Sequence, residues 1–138
     1  MSERVLVYGV GVAGMATLRA LVKRGYDVVA ADDRVDDAKR KAVAKLGVDL
    51  VDSPAPGIPE GHPLITQSIQ QRRVVMTELD LAYEWESHRE GGARPIIAVT
   101  GTDGKTTTVN MVESMLTESG RRTVACGNTE IPLVDALE

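Results

Sequence analysis

Two glycine-bearing runs hold the residues that could do chemistry in this chain. The first, Gly9-Val10-Gly11-Val12-Ala13-Gly14, follows an aliphatic run from Arg4 to Tyr8 and opens a stretch of helical spacing. In a strand–turn–helix of this G-x-G-x-x-G form, the first glycine permits the tight turn. The second lets a phosphate approach the backbone, and the third lets the helix pack on the strand. Asp32 and Asp33 follow at the end of the next apolar run, where carboxylates can accept hydrogen bonds from ligand hydroxyls. NAD, FAD and UDP-sugars all use such turns, so the turn does not by itself choose among them. The second run is Thr100-Gly101-Thr102-Asp103-Gly104-Lys105-Thr106-Thr107. A loop ending Gly-Lys-Thr between a strand and a helix suits a nucleotide triphosphate. Its N–H groups and the helix start cradle phosphates, Lys105 reaches the terminal ones, and the Thr106 hydroxyl can ligate Mg²⁺. The run is shorter than the full Walker pattern, because Val99 stands where the first glycine would be.

Alternating elements must position these loops. Residues 4–8 read as a buried strand, 13–24 as a helix stopped by Gly25, 27–31 as a second strand, 36–46 as an exposed helix and 48–51 as a third strand. Residues 53–63 hold four of the six prolines and read as an irregular loop. Beyond them the pattern predicts a helix over 64–71, a strand over 73–76 and a helix over 78–87. A strand over 96–100, a helix over 105–119, a strand over 123–126 and a helical start from Pro132 follow. Strands alternating with helices through short glycine loops predict parallel βαβ units. The expected fold is therefore α/β: a Rossmann-like parallel domain over residues 1–92, then the beginning of a P-loop ATPase α/β domain over 93–138. The boundary is placed at the polar, Gly91-Gly92-bearing segment 88–94.

Composition narrows the partners. The 138 residues are 43% hydrophobic and 26% charged, with no Phe and one Trp, so the core must be aliphatic. A net charge of −4 recommends neither nucleic acid nor an acidic membrane surface as a partner. The single cysteine, Cys126, forms no intrachain disulfide, and no apolar run approaches a membrane span. A cytoplasmic protein is expected. His62 and His88 stand apart from any ligand-like spacing and do not predict a metal site. Cys126 is expected to be a buried thiol, and Trp85 a packing residue.

Taken in order along the chain, these motifs resemble the Mur ligases, and specifically their D-glutamate-adding member. Residues 100–108 (TGTDGKTTT) are similar to that family's TGTNGKTT signature, with Asp103 in place of Asn. The turn GVGVAGMA, the Ala31-Asp32-Asp33-Arg34 run, the PGIPEGHPLI loop, the MTELDLA segment and Gly127-Asn128 resemble further signatures in the family's order. The resemblance implies that Gly11, Val12 and Ala13 contact a UDP moiety through their backbone. It implies that Asp32, Asp33 and Arg34 read its uracil and phosphates, and that Gly57 and Asn128 close the site. It further implies ATP and Mg²⁺ as cofactors, held by Gly101, Thr102, Asp103, Gly104, Lys105, Thr106 and Thr107. Lys105 would be catalytic and Thr106 a metal ligand. The substrates implied are UDP-N-acetylmuramoyl-L-alanine and D-glutamate: ATP phosphorylates a carboxylate, and the amino acid attacks the resulting acyl phosphate.

The chain also departs from that pattern. Ala13 and Ala55 stand where hydroxyl residues are usual, Glu130 stands where a Gly is frequent, and the stretch from Arg34 to Pro56 is short. The family's Mg²⁺-binding Glu, modified Lys, His and C-terminal domain would lie beyond Glu138, so ligation by this chain alone is not expected. The family is expected to be monomeric, whereas an incomplete parallel sheet exposes an edge and favours self-association. Two other readings stay open: an NAD-type dinucleotide-binding Rossmann module, and a shortened scaffold that binds nothing. The Gly-Lys-Thr loop argues against the first of these, and the lost hydroxyls argue for the second.

Overall fold

The computed structural model describes residues 4–52, 63–127 and 131–138. The chain divides into two compact units, residues 1–78 and 79–138.

The first unit is built on a three-stranded parallel sheet of β1 (Arg4–Tyr8), β2 (Asp27–Asp32) and β3 (Asp49–Asp52), in the order β1-β2-β3. Register pairs Arg4 with Asp27 and Tyr8 with Ala31 on one side of β2, and Val29 with Asp49 on the other. Helices α1 (Val12–Lys23) and α2 (Asp37–Ala44) are the two crossovers, the connection that parallel strands require. The core is aliphatic, as a chain without Phe must have it. Leu18 and Leu21 of α1 and Val43 of α2 are at most 1% exposed, and Val7, Val28 and Ala30 are buried on the strands. Helix α2 begins at Asp36, whose side chain accepts the Lys39 N–H at 2.7 Å and so satisfies one of the donors a helix start leaves open. Helix α3 (Pro63–Gln70) buries no residue and ends where Arg72 takes a left-handed φ of 54°.

The second unit contains α4 (Glu78–Ser87) from Leu79 onward, α5 (Lys105–Glu118) and the short α6 (Leu133–Ala136). Its buried residues include Ala82 and Glu86, one turn apart on α4, and Val134 of α6. Glu86 accepts from the Arg94 backbone N–H at 2.6 Å and from the guanidinium at 3.0 and 2.6 Å. Arg94 also reaches the carbonyl of Leu137 at 3.5 Å. This bond set folds the Gly91-Gly92 segment back onto α4. Along the chain, the two compact units divide between Glu78 and Leu79.

Three expected strands are not formed. Residues 73–76, 96–100 and 123–126 carry no strand pairing. A parallel strand is held by neighbours on its edges and covered on both faces. Ile96 and Ile97 instead remain 46% and 61% exposed, and Val124 45%. The 3.6-residue pattern of α5 and the glycine loop before it are nevertheless in place. No helix among the described residues is long and apolar enough to cross a membrane.

Candidate functional site

At the first turn, β1 runs directly into glycine. Gly9 has φ 90° and donates to the carbonyl of Ala31 at 2.8 Å, continuing the sheet ladder for one more bond. Val10 N–H then donates to Oδ2 of Asp32 at 2.6 Å. Gly14 is the tightest position in this unit: a Cβ there would lie 1.8 Å from the Gly9 carbonyl oxygen. Only a glycine lets α1 start this close to the turn, as the motif requires. Gly11 caps α1 with no side-chain hydrogen bond and no acidic residue in the first turn, and nothing lies within 4 Å of where its Cβ would stand. The leading N–H groups of α1 are thus left for an acceptor from outside the helix.

Asp32 is 7% exposed and takes three donors from the chain itself. Its Oδ2 accepts from Val10 N–H and from Lys39 Nζ at 2.9 Å, and its Oδ1 from Arg34 N–H at 2.7 Å. Burial pushes this carboxyl up, but the Lys39 ammonium and the two backbone N–H groups outweigh it and hold the pKa below the ordinary value. Lys39 Nζ also donates to the Arg34 carbonyl at 2.8 Å. Asp33 accepts from the Tyr8 hydroxyl. The Arg34 side chain is exposed and has no partner among the described residues. The structure thus brings Gly11, Val12, Ala13, Asp32, Asp33 and Arg34 to the C-terminal ends of β1 and β2. Gly57 and Asn128, expected to close this site, lie outside the described residues, as do His62, Ala55 and Glu130.

The second loop is built differently. Gly104 caps α5 in the left-handed conformation, φ 76°, again with no side-chain cap and no acid in the first turn. Lys105 Nζ turns back onto the loop and donates to the carbonyls of Gly101 and, at 3.1 Å, Thr102. Thr102, Asp103, Thr106 and Thr107 are exposed. A shallow groove runs from Thr106 and Thr107 along one face of α5 past Asn110, Met111, Ser114 and Met115. Helix α5 is tied to the segment that follows it by Glu113, which accepts from Ala125 N–H at 2.7 Å.

Three interactions were not legible in the residue pattern. Lys39 reads as one of several lysines on a solvated helix, Glu86 as an ordinary helical acid, and Glu113 likewise; each acts across a tertiary contact with no local signature. His88 donates its Nδ1–H to the Glu84 carbonyl at 2.9 Å, and Cys126 is half-buried where a buried thiol was expected. No group of three potential metal-binding His, Cys, Asp or Glu occurs among the described residues.

A parallel α/β sheet with a glycine turn opening its first helix, followed by a Gly-Lys-Thr loop opening a later one, defines the class: an α/β chain with two unblocked helix starts. Residues 99–136 match the Mur ligase middle domain. Over 96% of its length the chain is 34% identical to the UDP-N-acetylmuramoylalanine–D-glutamate ligase of Syntrophus aciditrophicus and 40% identical to that of Frankia casuarinae. It is also 34% identical to the enzyme of that name in Aquifex aeolicus over 97% of its length. The chain belongs to the Mur ligase family. It spans about a third of the length of the curated relatives it matches: 32%, 31% and 30% respectively.

Proposed function

We propose that this chain is the part of a D-glutamate-adding ligase that receives the UDP-linked substrate at its first glycine turn and ATP at its second. The observation that carries the reading is the contrast in helix capping. Helix α2 satisfies its own start with Asp36 and adds Asp37 in the first turn, which would repel an anion. Helices α1 and α5 start at glycines with neither feature. A helix start left this way attracts a phosphate through its N–H groups and its dipole. The names of the relatives, UDP-N-acetylmuramoylalanine–D-glutamate ligases, support a UDP-linked ligand for such a turn.

The residues of the second loop fit a nucleotide triphosphate and Mg²⁺. Lys105 already bonds to two loop carbonyls and can exchange them for phosphate oxygens. The exposed hydroxyl of Thr106 stands in the first turn of α5, where a Mg²⁺ ligand would be needed. When bound, ATP would supply the phosphoryl group that turns a poor acyl donor, a carboxylate, into a good one. Lys105 would orient that group and offset its negative charge. The substrate domain is assigned to residues 1–92 and the start of the nucleotide domain to 93–138.

Isothermal titration with UDP-N-acetylmuramoyl-L-alanine tests the reading directly. Saturable binding that weakens at least tenfold in Arg34→Ala is expected. A folded chain that takes up neither this ligand nor UDP would defeat it.

A further inference from the structure

The strongest feature outside the expected contacts is Lys39. We infer that Lys39 is the specificity-determining residue of the first turn: by occupying Asp32 it bars an adenosine ribose, and by pinning Arg34 it favours a uridine diphosphate. The inference rests on the proposed function for its choice of ligand.

In a dinucleotide-binding turn, the acid at the end of the second strand accepts hydrogen bonds from the ribose hydroxyls, which requires a free and reachable carboxylate. Asp32 occupies that position, and a carboxylate offers about four acceptor sites. Three are filled from within the chain, by Val10 N–H, Arg34 N–H and Lys39 Nζ. The residue is 7% exposed, so a ribose reaching for the fourth meets the protein first. Lys39 is the only one of the three donors that belongs to a side chain, and so the only one a substitution can remove. It also donates to the Arg34 carbonyl at 2.8 Å. The Arg34 backbone is therefore fixed at both its N–H, by Asp32, and its carbonyl, by Lys39. The guanidinium that projects from it has no partner among the described residues and is available to a diphosphate. One ammonium thus closes the ribose acceptor and aims the phosphate donor. Lys39 is a positioning residue, acting through Asp32 and Arg34.

The test is calorimetric titration of the full chain with UDP and separately with NAD⁺, on the unaltered protein and on Lys39→Met, Lys39→Arg and Asp32→Asn. The unaltered chain is expected to bind UDP at least tenfold more tightly than NAD⁺. Lys39→Met, which keeps the aliphatic stem, should weaken UDP about tenfold and strengthen NAD⁺, collapsing the preference. Lys39→Arg should restore it, which a merely structural role for the side chain would not require. Asp32→Asn should weaken UDP without any gain in NAD⁺, since the ribose acceptor is then lost; it also serves if Lys39→Met fails to fold by circular dichroism. An unchanged UDP-to-NAD⁺ ratio in Lys39→Met, or a gain of NAD⁺ in Asp32→Asn, overturns the inference. Failure of the unaltered chain to bind UDP at all overturns the proposed function instead. The NAD⁺ arm alone then decides the role of Lys39, with no gain in Lys39→Met counting against it.

Discussion

The two glycine turns both open a helix, yet they are held in opposite ways. The first is gripped from its own sheet: Gly9 bonds to Ala31, Val10 to Asp32, and Gly14 leaves no room for a methyl group against the Gly9 carbonyl. The second is exposed, pairs with no strand, and is held mainly by its own lysine reaching back to Gly101 and Thr102. The difference lies in the neighbours rather than in the loops. A turn that inherits its shape from a paired strand is preorganised by that strand, while a turn that must shape itself does so with one of its own side chains.

The sharpest way to break the comparison is to add a methyl group to each turn. Gly14→Ala forces the Gly9 backbone to move and should destabilise the first unit by about 3 kcal/mol, seen as a lowered urea midpoint in far-ultraviolet circular dichroism. Gly104→Ala meets open space and suffers only the left-handed backbone, about 1–2 kcal/mol. Equal losses at the two positions would show that the turns are not held differently. Next in size is Asp32→Ala, which strands the Val10 N–H and the Lys39 ammonium. A loss of about 1–3 kcal/mol is expected in the same unfolding experiment, and none if water replaces the carboxylate without cost.

A smaller effect belongs to the second unit, where Glu86 plays the bracing part that Asp32 plays in the first. The Arg94 guanidinium and backbone N–H pull its pKa from 4.5 down to about 2. A carboxyl depressed in the folded state stabilises fully above its unfolded value, and that contribution is lost as pH falls from 4.5 through about 2. The fluorescence of Trp85 on α4 should report the loss as a falling denaturation midpoint over this range. Glu86→Gln should flatten that part of the profile. The smallest effect on stability is expected from Lys105→Ala, within about 0.5 kcal/mol because the loop is exposed. ATP affinity in the presence of Mg²⁺ should nonetheless drop at least tenfold by calorimetry, and a large loss of stability with unchanged affinity would reverse the assignment of this residue.

What the residues reveal in advance follows the range of the forces involved. Helix starts and stops are local: Asp36 before α2, Gly25 after α1 and the Gly-Lys-Thr opening of α5 all stand where the pattern puts them. The three paired strands are legible because Val, Leu and Ala runs adjoin short turns. Residues 96–100 look the same, but a strand is a relation between two segments, and the aliphatic run alone does not say whether a partner is at hand. The candidate site divides likewise. Glycine spacing announces both turns, whereas the Lys39–Asp32–Arg34 set and the Glu86–Arg94 pair depend on which side chains the fold brings face to face.

Helix α5 carries one last consequence. It has 14 residues and buries none of them. A helix of about 12–15 residues with no fully buried side chain draws little support from packing and is marginal in water, because its first turn is costly to nucleate. Its amides should therefore exchange with deuterium far sooner than those of α1, whose Leu18 and Leu21 are sealed in a core. An anion seated on the Gly104 turn would act as the missing nucleus. Nucleotide binding and coil-to-helix ordering would then be one thermodynamic event, visible as slowed exchange running down α5 from Lys105.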